Sequence, residues 1–339
     1  MIVAPDPKAM ADLPEPAIPH TLEGRWFDIG YRVASLQREA RARYWAADAV
    51  PTIFVDFGCG NLAGLIGAPY RLAEGTIWFD VEPIVHDWRL RGNFTLNRAN
   101  PLYQAIRDTT RLLAEESEGQ YFVGVTDIGS NLDVLGSLRN RQSLLMDLIA
   151  RPGPVKAALA EIDRLWLEFF EENLSWIGAH LAGLSSFSPL VYQGRWYKLM
   201  SESSVMISAS MFEEFIIPCL AWQIERLDRA IFNLDGLGQR HLLDPVLSLE
   251  GLLAVEWNPV PGYDARHGDY RKDYTSRASL EVGRRIQAHG KKLILTKVKP
   301  DQVETIMSGL NRNGLLLAVD CQHPSQADDL AEQVRRWQE

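Results

Sequence analysis

The stretch A-I-F-N-L-D-G at 230–236 decides the fold. An unbroken apolar run closes on two polar positions and a glycine. About fifteen residues later comes a second run of the same kind, L-A-V-E-W-N at 253–258. Continuous apolar runs of this length suit strands buried on both faces of a parallel sheet. Working outward, the same reading applies to T-I-F-V-D-F (52–57), Y-F-V-G-V-T-D (121–127), W-Y-K-L-M-S-E (196–202), K-L-I-L-T-K-V (292–298) and L-L-L-A-V-D-C (315–321). Helical patterns are expected over Phe27–Ala47, Gln142–Ile177 (broken near Pro152 and Pro154), Ala209–Leu227, Tyr274–His289 and Pro300–Leu310. Ser208 and the Lys299-Pro300-Asp301 turn are start signals, and Gly290 is a stop signal. Strand–helix repetition predicts an α/β protein. Seven strands plus an ambiguous region at Ser185–Val191 come close to eight. The expectation is therefore a (β/α)8 TIM barrel rather than an open doubly wound sheet. It would carry an N-terminal helical extension and a hairpin inserted at 75–88. Residues 1–20, rich in Pro, read as a flexible tail, and 21–339 as a single barrel domain.

The chain has 339 residues, 46% of them apolar, with a net charge of −9. The acidic balance argues against a nucleic-acid partner. No apolar run is long enough for a membrane span, and the N-terminus lacks the basic and apolar regions of a secretory signal. Three cysteines fit a reducing, cytoplasmic setting. Ten tryptophans are the unusual entry in the composition.

In a barrel the active site forms at the C-terminal ends of the strands. Most expected strands end in a polar residue: Asp56, Asp127, Glu202, Asn233 with Asp235, Glu256 with Asn258, Lys297, and Asp320. Carboxylates converging on one mouth raise one another's pKa, which lets one serve as acid and another as base. Each of these acids equally suits the N-cap of the helix that follows. Asn233 and Asp235 lie two apart and share a strand face, with Gly236 allowing a ligand to approach; a plain D-G turn fits the same letters. His241 follows on the loop, in either a structural or a functional role. Cys321 and His323 also lie two apart, and with Asp235 they form a weak candidate metal set, since no C-x-x-C or H-E-x-x-H occurs. Cys219 belongs to an apolar helix and reads as core. F-G-C-G-N-L-A-G (57–64) lacks nucleotide-binding spacing, and there is no nucleophile elbow.

Four stretches carry a resemblance: F-V-G-V-T-D, S-E-S-S-V-M-I-S-A-S-M-F-E-E-F-I-I-P (201–218), I-F-N-L-D-G-x4-H-L-L-D (231–244) and V-E-W-N-P-V-P-G (255–262). Together they resemble the uroporphyrinogen decarboxylase superfamily, nearest the branch grouped with corrinoid-linked methyltransferases. The resemblance runs from about Tyr44 to Trp337 and implies a (β/α)8 barrel. Two departures stand out. The Arg-rich N-terminal loop of true decarboxylases has no counterpart, which argues against porphyrinogen decarboxylation. The zinc-binding His-x-Cys-Gly of the methyl-transferring members reads Asn233-Leu234-Asp235-Gly236, while their later Cys corresponds to Cys321.

The resemblance thus implies a methyltransferase-like enzyme acting on a small organic molecule, with a corrinoid carried on a separate partner protein. Zinc, if held, would fall to Asp235 and Cys321 with His323 or Glu256. Asp235, Asp127 and Glu202 are the expected catalytic residues. Asn233, Trp257, His241, Glu256 and Asp56 are the expected substrate contacts. A lyase or decarboxylase acting on a non-porphyrin acid, and a ligand-binding barrel that lost its zinc ligands, are the competing readings. The oligomeric state is not specified; a dimer is compatible with the chain.

Overall fold

A computed structural model describes residues 1–178, 180–259 and 273–338. In chain order the strands are β1 Ile2–Pro5, β2 Arg43–Ala46, β3 Thr52–Phe54, β4 Arg71–Leu72, β5 Ile77–Trp78, β6 Phe122–Gly124, β7 Trp196–Leu199, β8 Arg229–Asp235, β9 Leu252–Asn258, β10 Lys292–Val298 and β11 Leu315–Asp320. All seven expected strands are present, as β3, β6 and β7 to β11. The main sheet has seven strands in the order β2-β1-β11-β10-β9-β8-β7. Every neighbouring pair in it is parallel except β1–β2. β3 and β6 form a separate parallel pair. The fold is thus α/β with a mostly parallel central sheet.

The ladders do not close into a ring among the described residues. β6 continues only through a single parallel bridge, Gly124 to Ser185, and Leu184 bridges Tyr192 antiparallel. The ambiguous region at 185–191 is therefore not a regular strand. Its serines explain this: the Ser185 hydroxyl donates to the carbonyl of Ser188, a local bond that competes with a ladder, and Pro189 has no N–H to offer.

Two expectations near the N-terminus need correction. The supposed tail begins with β1, which runs parallel to β11 and antiparallel to β2, and continues as a helix over Pro7–Asp12 capped by Asp6. Ile2 and Ala4 are buried. The helix expected over 27–47 covers Ile29–Arg41 only, after a short helix at Leu22–Phe27. Tyr44 and Trp45, which favour strands, then enter β2. Elsewhere the boundaries follow the prolines. One helix ends at Ala150, and the long helix begins at Pro152. The expected 209–227 helix splits at Ile216, where Pro218 falls in the first turn of the second half. The hairpin expected at 75–88 forms instead over 71–78, where β4 pairs antiparallel with β5, and 79–88 holds no strand.

Helices cover the sheet. Trp166 and Phe170 of the helix Pro152–Gly178 stack on each other and meet the Tyr197 ring edge-on. Cys219 is core, as expected. Among the described residues no helix is long and apolar enough to cross a membrane.

Candidate functional site

Parallel register fixes which side chains meet. In the β8–β9 ladder Asn233 faces Glu256, Leu234 faces Trp257 and Asp235 faces Asn258. Side chains alternate with period two, so Asn233, Asp235, Glu256 and Asn258 share one face and Leu234 and Trp257 share the other.

On the first face lies a buried polar network. Glu256 is 2% exposed and pairs with Lys198 of β7, Nζ to Oε1 3.0 Å. Oε1 also accepts the Thr296 hydroxyl at 3.2 Å, and Oε2 accepts the Ser188 hydroxyl at 3.2 Å. Lys198 donates again to the Phe187 carbonyl at 3.0 Å and lies 4.0 Å from the Phe187 ring centroid. Asn258 donates to Asn233 Oδ1 at 2.5 Å. Both carboxylate oxygens of Glu256 are thus engaged, which is what a buried charge requires. Glu256, expected to touch substrate, acts here as the hub of this network.

Two residues further along the same face stands Asp235, the point where the network reaches the strand ends. Its backbone N–H donates to Gln239 Oε1 at 2.9 Å, and Gln239 donates to the carbonyl of Ser201 at 2.8 Å. This ties the end of β8 to the turn after β7. In that turn Glu202 opens a short 3-10 segment whose N–H groups at Glu202 and Ser203 donate to Asp133, at 2.9 and 2.7 Å.

Asp127 lies beyond β6, 4% exposed. Its carbonyl accepts the backbone N–H of Asn61 at 3.0 Å and the side-chain amide at 2.8 Å. The turn that carries Asn61 therefore clamps onto it. The approach is tight: a Cβ on Gly129, whose φ is +95°, would lie 2.6 Å from the Cα of Gly60. Asp127 Oδ1 is buried without a hydrogen-bond partner.

These acids interact. Burial raises Asp127 to about 6, with nearby Lys198 and the N–H groups of Gly60 and Gly129 opposing the rise. Glu202 is an exposed residue; partial desolvation of its carboxyl group, with repulsion from Asp133, Asp235 and Asp127, raises it to about 7. Cys59 is exposed, but partial desolvation in its turn and the carboxylates of Asp127, Glu202 and Asp56 push its thiol up, so it stays protonated. The strand ends thus hold carboxyl groups able to carry a proton at neutral pH.

The structure brings Asp127, Glu202 and Asp235 into one electrostatic cluster, with Asn233 and Glu256 beneath. Asp56 reaches the cluster only through Cys59; it lies beside the Arg32 guanidinium, which donates to its carbonyl. Trp257 does not wall the site. It points to the opposite face, where its Nε1–H donates to Ser279 Oγ at 2.8 Å. Trp257→Phe should therefore lower stability by about 1 kcal/mol in urea unfolding and leave turnover unchanged.

His241 is also taken up locally. Its two ring nitrogens lie 2.8 Å from the carbonyls of Gly238 and Ile207. His323 lies at the start of the last helix, where Nδ1 accepts the Gln326 N–H at 3.2 Å. Cys321 is buried behind β11, its N–H donating to the Val3 carbonyl. β9 and β10 lie between Asp235 and this segment. Among the described residues no three His, Cys, Asp or Glu side chains gather as a metal ion needs. Asp235, Cys321 and His323 therefore do not fit a zinc ion. The V-P-G end of the V-E-W-N-P-V-P-G stretch, at 260–262, lies outside the described residues.

Lys198, Thr296, Ser188 and Asp133 were not singled out in the sequence. Only Lys198 leaves a signal there, as a lone charge inside an apolar strand.

No family model matches the chain, and no curated protein matches it. Among solved structures, a methyltransferase from Methanosarcina mazei is similar at 10% sequence identity with a TM-score of 0.62, covering 98% of this chain and 91% of that one. The likeness extends over nearly the whole chain and shows a fold in common with that protein.

Proposed function

We propose that the chain is a methyltransferase-like enzyme that acts on a small organic molecule at the C-terminal ends of its parallel strands. The single observation carrying this reading is the cluster of Asp127, Glu202 and Asp235 there, with the first two raised to about 6 and about 7. Taking a methyl group from oxygen or nitrogen leaves a heteroatom that must gain a proton, and a protonated carboxyl group supplies it. Asp235 lies on the same face as Asn233, directly above the Lys198–Glu256 network, and its charge acts on Glu202, so in this reading Asp127 or Glu202 holds the proton and Asp235 contacts the substrate beside them. The likeness to a methyltransferase supports the same assignment. In the finer reading, the two parallel ladders are arcs of one (β/α)8 barrel of the uroporphyrinogen decarboxylase superfamily. The Gly124–Ser185 bridge supports continuity between them. A corrinoid on a separate cytoplasmic partner protein would take the methyl group. No step is assigned to zinc.

The test is methyl transfer from a panel of O- and N-methylated small molecules, with reduced cobalamin as acceptor. Wild-type protein should demethylate at least one. Asp235→Ala should lower its rate at least a hundredfold with an unchanged thermal midpoint, and a wild-type rate in that variant would remove Asp235 from the chemistry. The rate should fall as pH rises through about 6 to 7, because Asp127 and Glu202 then lose the proton the leaving group needs; a rate that climbs through that window reverses the assignment. Release of CO2 from an acid substrate, without any methyl acceptor, would favour a lyase instead.

A further inference from the structure

A cavity of about 590 Å³ opens between β3 on one side and β10, β11 and β1 on the other, beneath the helix Ile29–Arg41. Its size is that of a small-molecule site. Two cations on its wall have unused capacity.

The first is Lys297. It has φ +56°, in the left-handed region that a residue with a Cβ adopts only at a cost. The β10–β11 register shifts between Leu295 and Val298, so the irregularity re-aims this side chain at the cavity. Among the described residues Lys297 makes no hydrogen bond and no ion pair. The second is Arg32. One of its Nη groups donates to the Asp56 carbonyl and its guanidinium lies over Trp26 and Phe57, yet its Nε is buried with no partner.

The wall carboxylates are already engaged. Glu39 pairs with Arg43, Asp56 accepts the Gly58 N–H at 2.8 Å and offsets part of the Arg32 charge, and Asp320 is engaged as well. Phe54, Phe187 and Trp45 supply an apolar surface.

We propose that this cavity binds a small organic carboxylate with an apolar body, the carboxylate taken by Lys297 and Arg32 and the body by Phe54, Phe187 and Trp45. Ser188 and Thr296, which hold Glu256, also line the cavity, so a bound molecule reaches the edge of the network beneath Asp235. That the ligand is also the substrate rests on the methyl-transfer reading; that it binds does not.

The test is calorimetric titration of the full chain with benzoate, its neutral isostere benzamide, and benzylamine. Benzoate should bind at least tenfold more tightly than either. Lys297→Ala should weaken benzoate at least fivefold, and Lys297→Arg should restore it to within twofold. Lys297→Gly should weaken benzoate equally without lowering the thermal midpoint, because the left-handed position is easier for glycine. No preference for benzoate over benzamide, or unchanged binding in Lys297→Ala, would overturn the site. Carboxylate binding without methyl transfer by the wild-type protein would remove the reaction and leave the cavity. Methyl transfer unaffected by Lys297→Ala, with benzoate binding lost, would remove the carboxylate from the substrate class.

Discussion

Lys198→Met should destabilise the protein by about 3–5 kcal/mol in urea unfolding, because it leaves the Glu256 carboxylate buried without its cation. Glu256 is 2% exposed, and its remaining partners are the hydroxyls of Ser188 and Thr296 and the Asn258 amide. These neutral donors solvate a charge less well than an ammonium group 3.0 Å away. The double variant Lys198→Met/Glu256→Gln should recover most of the loss, since neither partner then carries a charge. If the double variant is as unstable as the single one, the cost lies in packing rather than in an orphaned charge. The same change reaches the acid cluster. Lys198 lowers the proton affinity of Asp127, so its removal should move the corresponding inflection in the pH–rate profile upward. A stability loss with an unmoved inflection would separate the network from the acids.

The second large effect concerns Asp163, in the helix Pro152–Gly178 and away from the strand ends. It is 4% exposed and accepts amide donors from Asn131 at 3.0 Å and Gln223 at 3.1 Å. Burial raises it to about 7, with the Cys219 thiol and Asn131 opposing the rise. A folded pKa above the unfolded value means that the fold prefers the protonated form. The penalty is therefore absent below about pH 4, grows as pH rises towards 7 and is constant above it. The upper limit of that penalty is roughly 4 kcal/mol. Asp163→Asn should thus stabilise the protein by about 1–3 kcal/mol at pH 8 and by little at pH 4. Urea unfolding of both proteins at the two pH values measures this, and other titrating groups cancel in the difference. A variant less stable at pH 8 would mean that the charged carboxylate is what Asn131 and Gln223 are there to hold.

The strands from β7 to β11 were legible because each is an unbroken apolar run between helical patterns. The acids at their ends were legible for a related reason: parallel strands put all their C-terminal ends on one side. β1 and β2 were not legible. Four residues carry no usable periodicity, and Ile2–Pro5 becomes a strand only by pairing with Val319 and Asp320 at the far end of the chain. Trp257 suits a pocket wall by residue type, but its parity decides: one residue from Glu256, it faces the other way. His241 and His323 fell to local backbone partners, which a sequence does not display. The roles of Thr296 and Ser188 depend on where the Glu256 carboxylate comes to rest, and nothing in their own neighbourhoods announces it.

The placement of β1 has a consequence for how the molecule is made. The Met1 amino group donates to the Leu317 carbonyl, across 316 residues of sequence. At synthesis rates of about 5–20 residues per second, β1 waits roughly 15–60 s for the neighbour it pairs with. Until then β1 and β2 form only a two-stranded antiparallel ribbon, too little to be stable in water alone. Ile2 and Ala4 lack their β11 neighbour for that interval. The β1–β11 ladder is thus the most non-local pairing in the main sheet, and β1 is open to pairing with a wrong strand until β11 has been made.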